Sequence, residues 1–203
     1  MAHACIKLLI VVVILIIIAG CSNTGTAPAS SAKELNPQFD SFKKNFVLPD
    51  LPLTIKACYT DGHKFEQLTK EKYPLYVTNE EGYVLSGYTL KTNGDFTALL
   101  SFFPADCFVP YLTTYDRGGK KIDGKMIAIG GCGSDCGFTC EEFMIIRADY
   151  SIYTSDTVTY IKCDTAGNEI PGTKEHYVIY KNGKLLSSGK IELSGEVKEM
   201  LKD

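Results

Sequence analysis

The densest run of chemically capable residues is Gly130-Gly131-Cys132-Gly133-Ser134-Asp135-Cys136-Gly137-Phe138-Thr139-Cys140-Glu141-Glu142. Three cysteines at four-residue spacing in a glycine-rich loop are open to three kinds of chemistry. One pair can close the loop as a disulfide while the third ties it to a distant segment carrying Cys58, Cys107 or Cys163. Closing a loop of tens of residues in this way stabilises by about 2–4 kcal/mol. Three thiolates with Glu141, Asp135 or a distant histidine would instead suit zinc or copper(I). The spacing, however, lacks the two-residue gap of common zinc knuckles and differs from iron–sulfur patterns. Thiol–disulfide exchange of the thioredoxin type requires C-x-x-C at a helix N-terminus, and the loop has neither. The structural disulfide is the leading reading, and no metal or cofactor is assigned.

Other catalytic apparatus is sparse. Past the N-terminal leader the chain has two histidines, His63 in the turn Asp61-Gly62-His63 and His176 at the start of a β-rich run. Both read as surface residues. There is no G-x-S-x-G elbow, no H-E-x-x-H pair and no phosphate-binding glycine loop. The 24 carboxylates allow many acid pairs and single out none. Asp164-Thr165-Ala166-Gly167-Asn168-Glu169 offers oxygen ligands without EF-hand order and reads as a polar turn. Tyr83, Tyr88, Tyr111, Tyr115, Tyr150, Tyr153, Tyr160, Tyr177 and Tyr180 could stack on sugars or anchor a partner protein. The preferred reading is that they are ordinary half-buried strand residues. No residue is assigned a catalytic role, and the chain reads as a non-enzyme.

The compartment that houses this chemistry is written at the N-terminus. One lysine, Lys7, precedes an unbroken apolar run from Leu8 to Ile18, eleven residues long. At about 1.5 Å per residue such a helix covers roughly half of a hydrocarbon core of about 30 Å, which suits a signal-peptide core better than a membrane span. Ile18-Ala19-Gly20-Cys21 follows, and it resembles the lipobox of bacterial lipoproteins. The resemblance implies removal of residues 1–20 as a signal peptide and acylation of Cys21 (palmitate-type chains), several chains on one residue meeting the need for more than one lipid signal. Ser22 stands where an aspartate would hold some lipoproteins at the inner membrane, so the outer membrane is the expected destination. The tether SNTGTAPASSA, through Ala32, is too small and polar to bury itself. The remainder resembles the globular parts of other envelope lipoproteins, a likeness that carries no functional residues.

Residues 33–203 read as one globular domain. The net charge is −3, or about −4 once Lys7 is removed, with no basic run, so nucleic-acid binding has no support. Of eight cysteines, Cys5 leaves with the signal and Cys21 is the lipidation site. Cys58, Cys107, Cys132, Cys136, Cys140 and Cys163 remain as disulfide candidates, an even number that fits an exported domain.

Those cysteines must be positioned by a β-rich scaffold. Phe39, Phe42 and Phe46 at three- and four-residue intervals predict a short helix within Lys33 to Phe46, ended by Pro49 and Pro52. Leu51 to Tyr59 reads as extended, and Lys64 to Lys72 as a second helical turn or two. Strands are expected near Leu75–Thr78, Tyr83–Leu90, Phe96–Phe103, Phe108–Tyr115, Lys125–Ile129, Phe143–Arg147, Thr157–Cys163, Glu175–Tyr180 and Lys184–Leu193. Asn93-Gly94, Gly118-Gly119, Asp123-Gly124 and Asn182-Gly183 supply turn chemistry between them, Asn182-Gly183 most strongly. Gly195 to Asp203 ends the chain as a short helix or a tail. With no helices between strands, the expected fold is mainly β, an antiparallel meander closed as a sandwich or barrel, with one or two short helices near the N-terminal side. The functional expectation is a lipid-anchored binding or structural module of the bacterial envelope, held to the membrane through Cys21 and facing an envelope protein or glycan. The alternatives are a thiol-redox or metal-binding protein using Cys132, Cys136 and Cys140, and a small-ligand carrier if the strands close into a barrel.

Overall fold

A computed structural model describes residues 36–56, 64–105, 107–130, 132–133 and 135–202. The leader, Cys21, the tether, Cys58 and His63 lie outside them. The described residues belong to one compact unit, Leu35–Asp203.

Helix α1 spans Pro37–Lys43 and forms for local reasons. Asn36 caps it, its Oδ1 accepting from Gln38 N at 3.1 Å and Phe39 N at 3.2 Å, and Pro37 sits where no amide partner is needed. Phe39 and Phe42 are its buried side. Among the described residues no helix is long and apolar enough to cross a membrane.

Among the described residues eleven strands make two antiparallel sheets. The first holds β2 (Gln67–Thr69), β3 (Tyr83–Leu90), β4 (Phe96–Phe103), β5 (Val109–Asp116) and β6 (Lys121–Met126) in sequence order. The second has the order β1 (Leu53–Lys56), β7 (Phe138–Ile146), β8 (Ser151–Tyr160), β9 (Glu175–Leu185) and β10 (Ile191–Leu193). The last strand, β11 (Val197–Met200), adds to β9 beside β10. The architecture is a sandwich and not a closed barrel.

Strand alternation explains the core. Ala98, Leu100, Phe102 and Leu112 from one sheet meet Leu53, Met144, Ile146, Ile152, Leu185 and Ile191 from the other in one buried cluster. The outer face of the first sheet, with Leu99 and Tyr115, is covered by Phe39, Phe42, Phe46, Tyr73, Tyr76 and Val77. That sheet is thus apolar on both faces, which is why β4 reads FTALLSFF with almost no polar alternation.

Five local expectations are corrected by pairing. Residues 64–72 form no helix: Leu68 sits opposite Val84 as edge strand β2. Leu75–Thr78 is not a strand, because Tyr76 and Val77 belong to the turn packed beneath α1, closed by Tyr76 N–H and Val77 N–H donating to Tyr73 O at 3.0 Å. Asp123-Gly124 lies inside β6, paired with Thr114 and Thr113. Asn182-Gly183 is no hairpin but lies within β9 near its C-terminal end, flanked by Tyr153 and Ile152 on one side and, at Gly183, by Leu193 on the other. A Cβ at Gly183 would meet the Leu193 side chain at 2.5 Å, so this glycine serves close strand approach rather than a turn. Finally, Val197–Met200 is a strand rather than a helix or tail, because β9 leaves its edge open beside Tyr177–Tyr180.

Candidate functional site

Two places gather functional side chains. The first lies where the cysteine loop meets β7 and β8. Cys132 is disulfide-bonded to Cys140, with Cα atoms 5.2 Å apart, and Cys136 to Cys163, at 6.4 Å. Cys107 is disulfide-bonded as well. Gly137 makes the entry into β7 possible: its φ of 65° and the closeness of Ile161 O, which a Cβ would overlap, leave room only for glycine. Ile161 N–H donates to Gly137 O at 2.7 Å and pins the loop to the end of β8.

Behind the disulfide, the inner face of the second sheet turns from apolar to polar. On β7 the alternation Ile146, Met144, Glu142, Cys140 runs beside Ile152, Thr154, Asp156 and Val158 on β8, and Glu142 is directly opposite Asp156. Asp156 is only 1 % exposed. Burial, reinforced by the Asp156 carboxylate, pushes the Glu142 carboxyl up to about 7. Glu142 Oε1 and Thr154 Oγ1 are buried with no hydrogen-bond partner. Lys181, opposite Thr154 on β9, has its ammonium 3.1 Å from Glu196 Oε1 and donates to Ala128 O at 3.4 Å.

The second place is a groove of about 250 Å³ on the outer face of the first sheet, beside α1. Phe42, Phe46, Tyr76, Phe103, Tyr111 and Tyr115 wall it. Phe103 and Tyr111 stack at 4.9 Å between ring centroids, and Lys121 Nζ lies 5.5 Å over the Tyr111 ring. Ser101 and Thr113, both nearly buried, give its floor hydroxyl groups. Burial drives the Tyr115 hydroxyl far up, so it stays a neutral donor. Asn79 also lines the groove; its Nδ2 donates to Glu81 Oε2 and Tyr83 O, both at 2.8 Å, while its Oδ1 is buried without a hydrogen-bond partner.

No family model, curated protein or solved structure matches this chain.

Every residue assignment therefore rests on this geometry. Of the acidic residues considered beside the loop, Asp135 Oδ1 accepts from Cys136 N–H at 2.7 Å, and Glu141 points to the exposed face of β7. The carboxylate that does reach the sulfurs is Asp156, with Glu142 its cross-strand neighbour, and sequence reasoning passed over both. A signal existed: each interrupts a period-two apolar pattern, Glu142-Met144-Ile146 and Ile152-Thr154-Asp156-Val158, on the side of the core. The Asp164 loop is a self-contained polar turn, its Oδ1 accepting from Ala166 N–H at 2.8 Å and Asn168 N–H at 2.9 Å. His176 sits on β9 opposite Thr159.

The tyrosines divide. Tyr115 is core and Tyr111 lines the groove. Tyr153 and Tyr180 stack at 5.9 Å on the outer face of the second sheet, with Phe143 6.4 Å from Tyr153. Tyr150, at φ 63°, donates its hydroxyl to Lys91 O at 2.7 Å and fastens the β7–β8 turn to the segment after β3.

Proposed function

We propose that the protein is a lipid-anchored binding module of the bacterial envelope, tethered by acyl chains on Cys21 at the outer membrane, and that its groove beside α1 takes a sugar ring of an envelope glycan. The anchor rests on the apolar run Leu8–Ile18, the sequence Ile18-Ala19-Gly20-Cys21 and the small, polar tether that follows. The ligand reading is carried by one observation: Asn79, whose buried Oδ1 has no hydrogen-bond partner, lines a groove walled by the stacked pair Phe103 and Tyr111. Aromatic faces cover the apolar face of a sugar, and fixed acceptors and hydroxyls read its hydroxyl groups. A volume of about 250 Å³ suits one ring rather than a long chain. No residue of the groove is assigned to bond breaking.

The anchor is tested by metabolic labelling with an alkyne-tagged palmitate. Label and membrane association should both disappear in Cys21→Ala, and retention of either in that variant overturns the anchor. The ligand is tested by titrating the full-length protein in detergent with soluble peptidoglycan fragments and other envelope oligosaccharides. Tyr111→Ala and Asn79→Ser should each weaken binding at least about tenfold, the loss expected of one stacking face or one satisfied buried acceptor. Binding that neither substitution alters places the ligand elsewhere.

A further inference from the structure

The cluster behind the cysteine loop is built from more than one kind of donor. Cys132 Sγ, Cys140 Sγ and a carboxylate oxygen of Asp156 lie within 4.8 Å of one another. Glu142 is the cross-strand partner of Asp156 on the same face. Thr154, two residues along that face, is fully buried and its Oγ1 has no hydrogen-bond partner. A buried hydroxyl in that state marks a place where a further polar group belongs.

We propose that reduction of the Cys132–Cys140 disulfide converts this cluster into a zinc site, with the two thiolates and Asp156 as ligands and Glu142 as the fourth. Disulfide sulfurs are poor ligands, whereas thiolates and carboxylates together suit a borderline cation that favours four-coordinate geometry. A divalent ion also relieves the repulsion between two carboxylates held face to face in a poorly solvated strand pair.

The scaffold keeps the ligands in place once the bond opens. Cys140 is fixed in β7 opposite Val158. Cys136, midway along the loop, remains bonded to Cys163 and so holds the loop against the sheet. Cys132 is then four residues from that anchor and cannot travel far. In the reaction a dithiol donor gives two electrons and two protons to the Cys132–Cys140 bond and becomes a disulfide itself. The two new thiols release their protons to solvent as Zn²⁺ binds.

Cobalt(II) reports on such a site. The full-length oxidised protein in detergent should show no thiolate-to-cobalt charge transfer. After limiting reduction with a water-soluble phosphine, taken to the point where alkylation mapping finds Cys132 and Cys140 free and Cys136–Cys163 still bonded, it should bind one Co²⁺ per chain with near-ultraviolet charge-transfer and tetrahedral d–d bands, and Zn²⁺ should displace it. The bands should vanish in Cys132→Ser with Cys140→Ser, and Asp156→Asn should weaken affinity at least about tenfold. Reduced, folded protein without the bands overturns the proposal, as do bands that survive the double substitution or are indifferent to Asp156→Asn. Should reduction unfold the domain, Cys132→His with Cys140→His keeps Cys136–Cys163 oxidised and needs no reductant. That variant should bind Zn²⁺ with at least about tenfold dependence on Asp156, and failure to do so also overturns the proposal.

Discussion

Glu142 and Asp156 face each other across β7 and β8, two carboxylates on the buried side of one antiparallel pair. Their proximity, added to burial, makes Glu142 hold its proton up to about pH 7, against 4.5 for the free group. The folded state therefore binds this proton more tightly than the unfolded chain. The stabilisation it brings is complete below about pH 4.5 and is lost as pH rises through about 7. Glu142→Gln should remove that dependence. Wild type should lose about 1–2 kcal/mol more than the variant between pH 5 and pH 8 in denaturant titrations, after allowing for solvent screening of a partly buried group. Parallel profiles would mean that the carboxyl pair does not couple to folding.

The two loop disulfides should differ in worth. Cys132–Cys140 spans 8 residues and Cys136–Cys163 spans 27. Loop-closure entropy then gives about 2.5 kcal/mol for the first and about 3.5 kcal/mol for the second. Paired serine substitutions at Cys136 and Cys163 should lower the unfolding midpoint more than those at Cys132 and Cys140. The reverse order would show that native contacts of the short loop outweigh chain entropy.

One buried side chain ties the two sheets at their β6 and β10 edges. Thr114 is fully buried and donates to Gly189 O at 2.6 Å, while Ile191 N–H donates to Asp123 Oδ2 at 2.9 Å nearby. Thr114→Val keeps the shape but strands the Gly189 carbonyl, at a cost of about 1–3 kcal/mol. Thr114→Ser retains the donor and should recover most of the loss. Equal destabilisation by both would assign the effect to packing instead.

Gly87 sits at the register shift of β3 against β4. A Cβ there would overlap Leu100 O and approach the Phe102 ring at 2.6 Å, and Gly87 O also accepts from Val47 N–H at 3.0 Å. Backbone cannot yield as a side chain can, so Gly87→Ala should cost about 2–3 kcal/mol. A thermal melt within error of wild type would show that the bulge is adaptable.

How far the fold was legible depends on the range of the interactions involved. The limits of β3 and β4 follow from their own runs of β-branched, aromatic and aliphatic residues, and the presence of α1 from its spaced phenylalanines, whereas its start at the Asn36 cap came from the structure. The failures came where a neighbour outweighed local chemistry. Asn182-Gly183 has strong turn chemistry, yet β8, β10 and β11 all pair with β9 and hold it straight. Residues 64–72 have helical spacing, yet the edge of β3 draws Leu68 into pairing.

Sequence by itself determined the fold class of this protein: the β-rich alternation is encoded strand by strand, and the cysteine inventory is read directly from the chain. Only the tertiary structure decided which cysteines meet, which tyrosines are walls rather than core, and that Asp156 and Glu142 stand behind the loop. Cys136 is 27 residues from Cys163, and Asp156 is 14 from Glu142. Such pairs are joined by strand register and sheet stacking. Those are properties of the whole packed chain that no local periodicity carries.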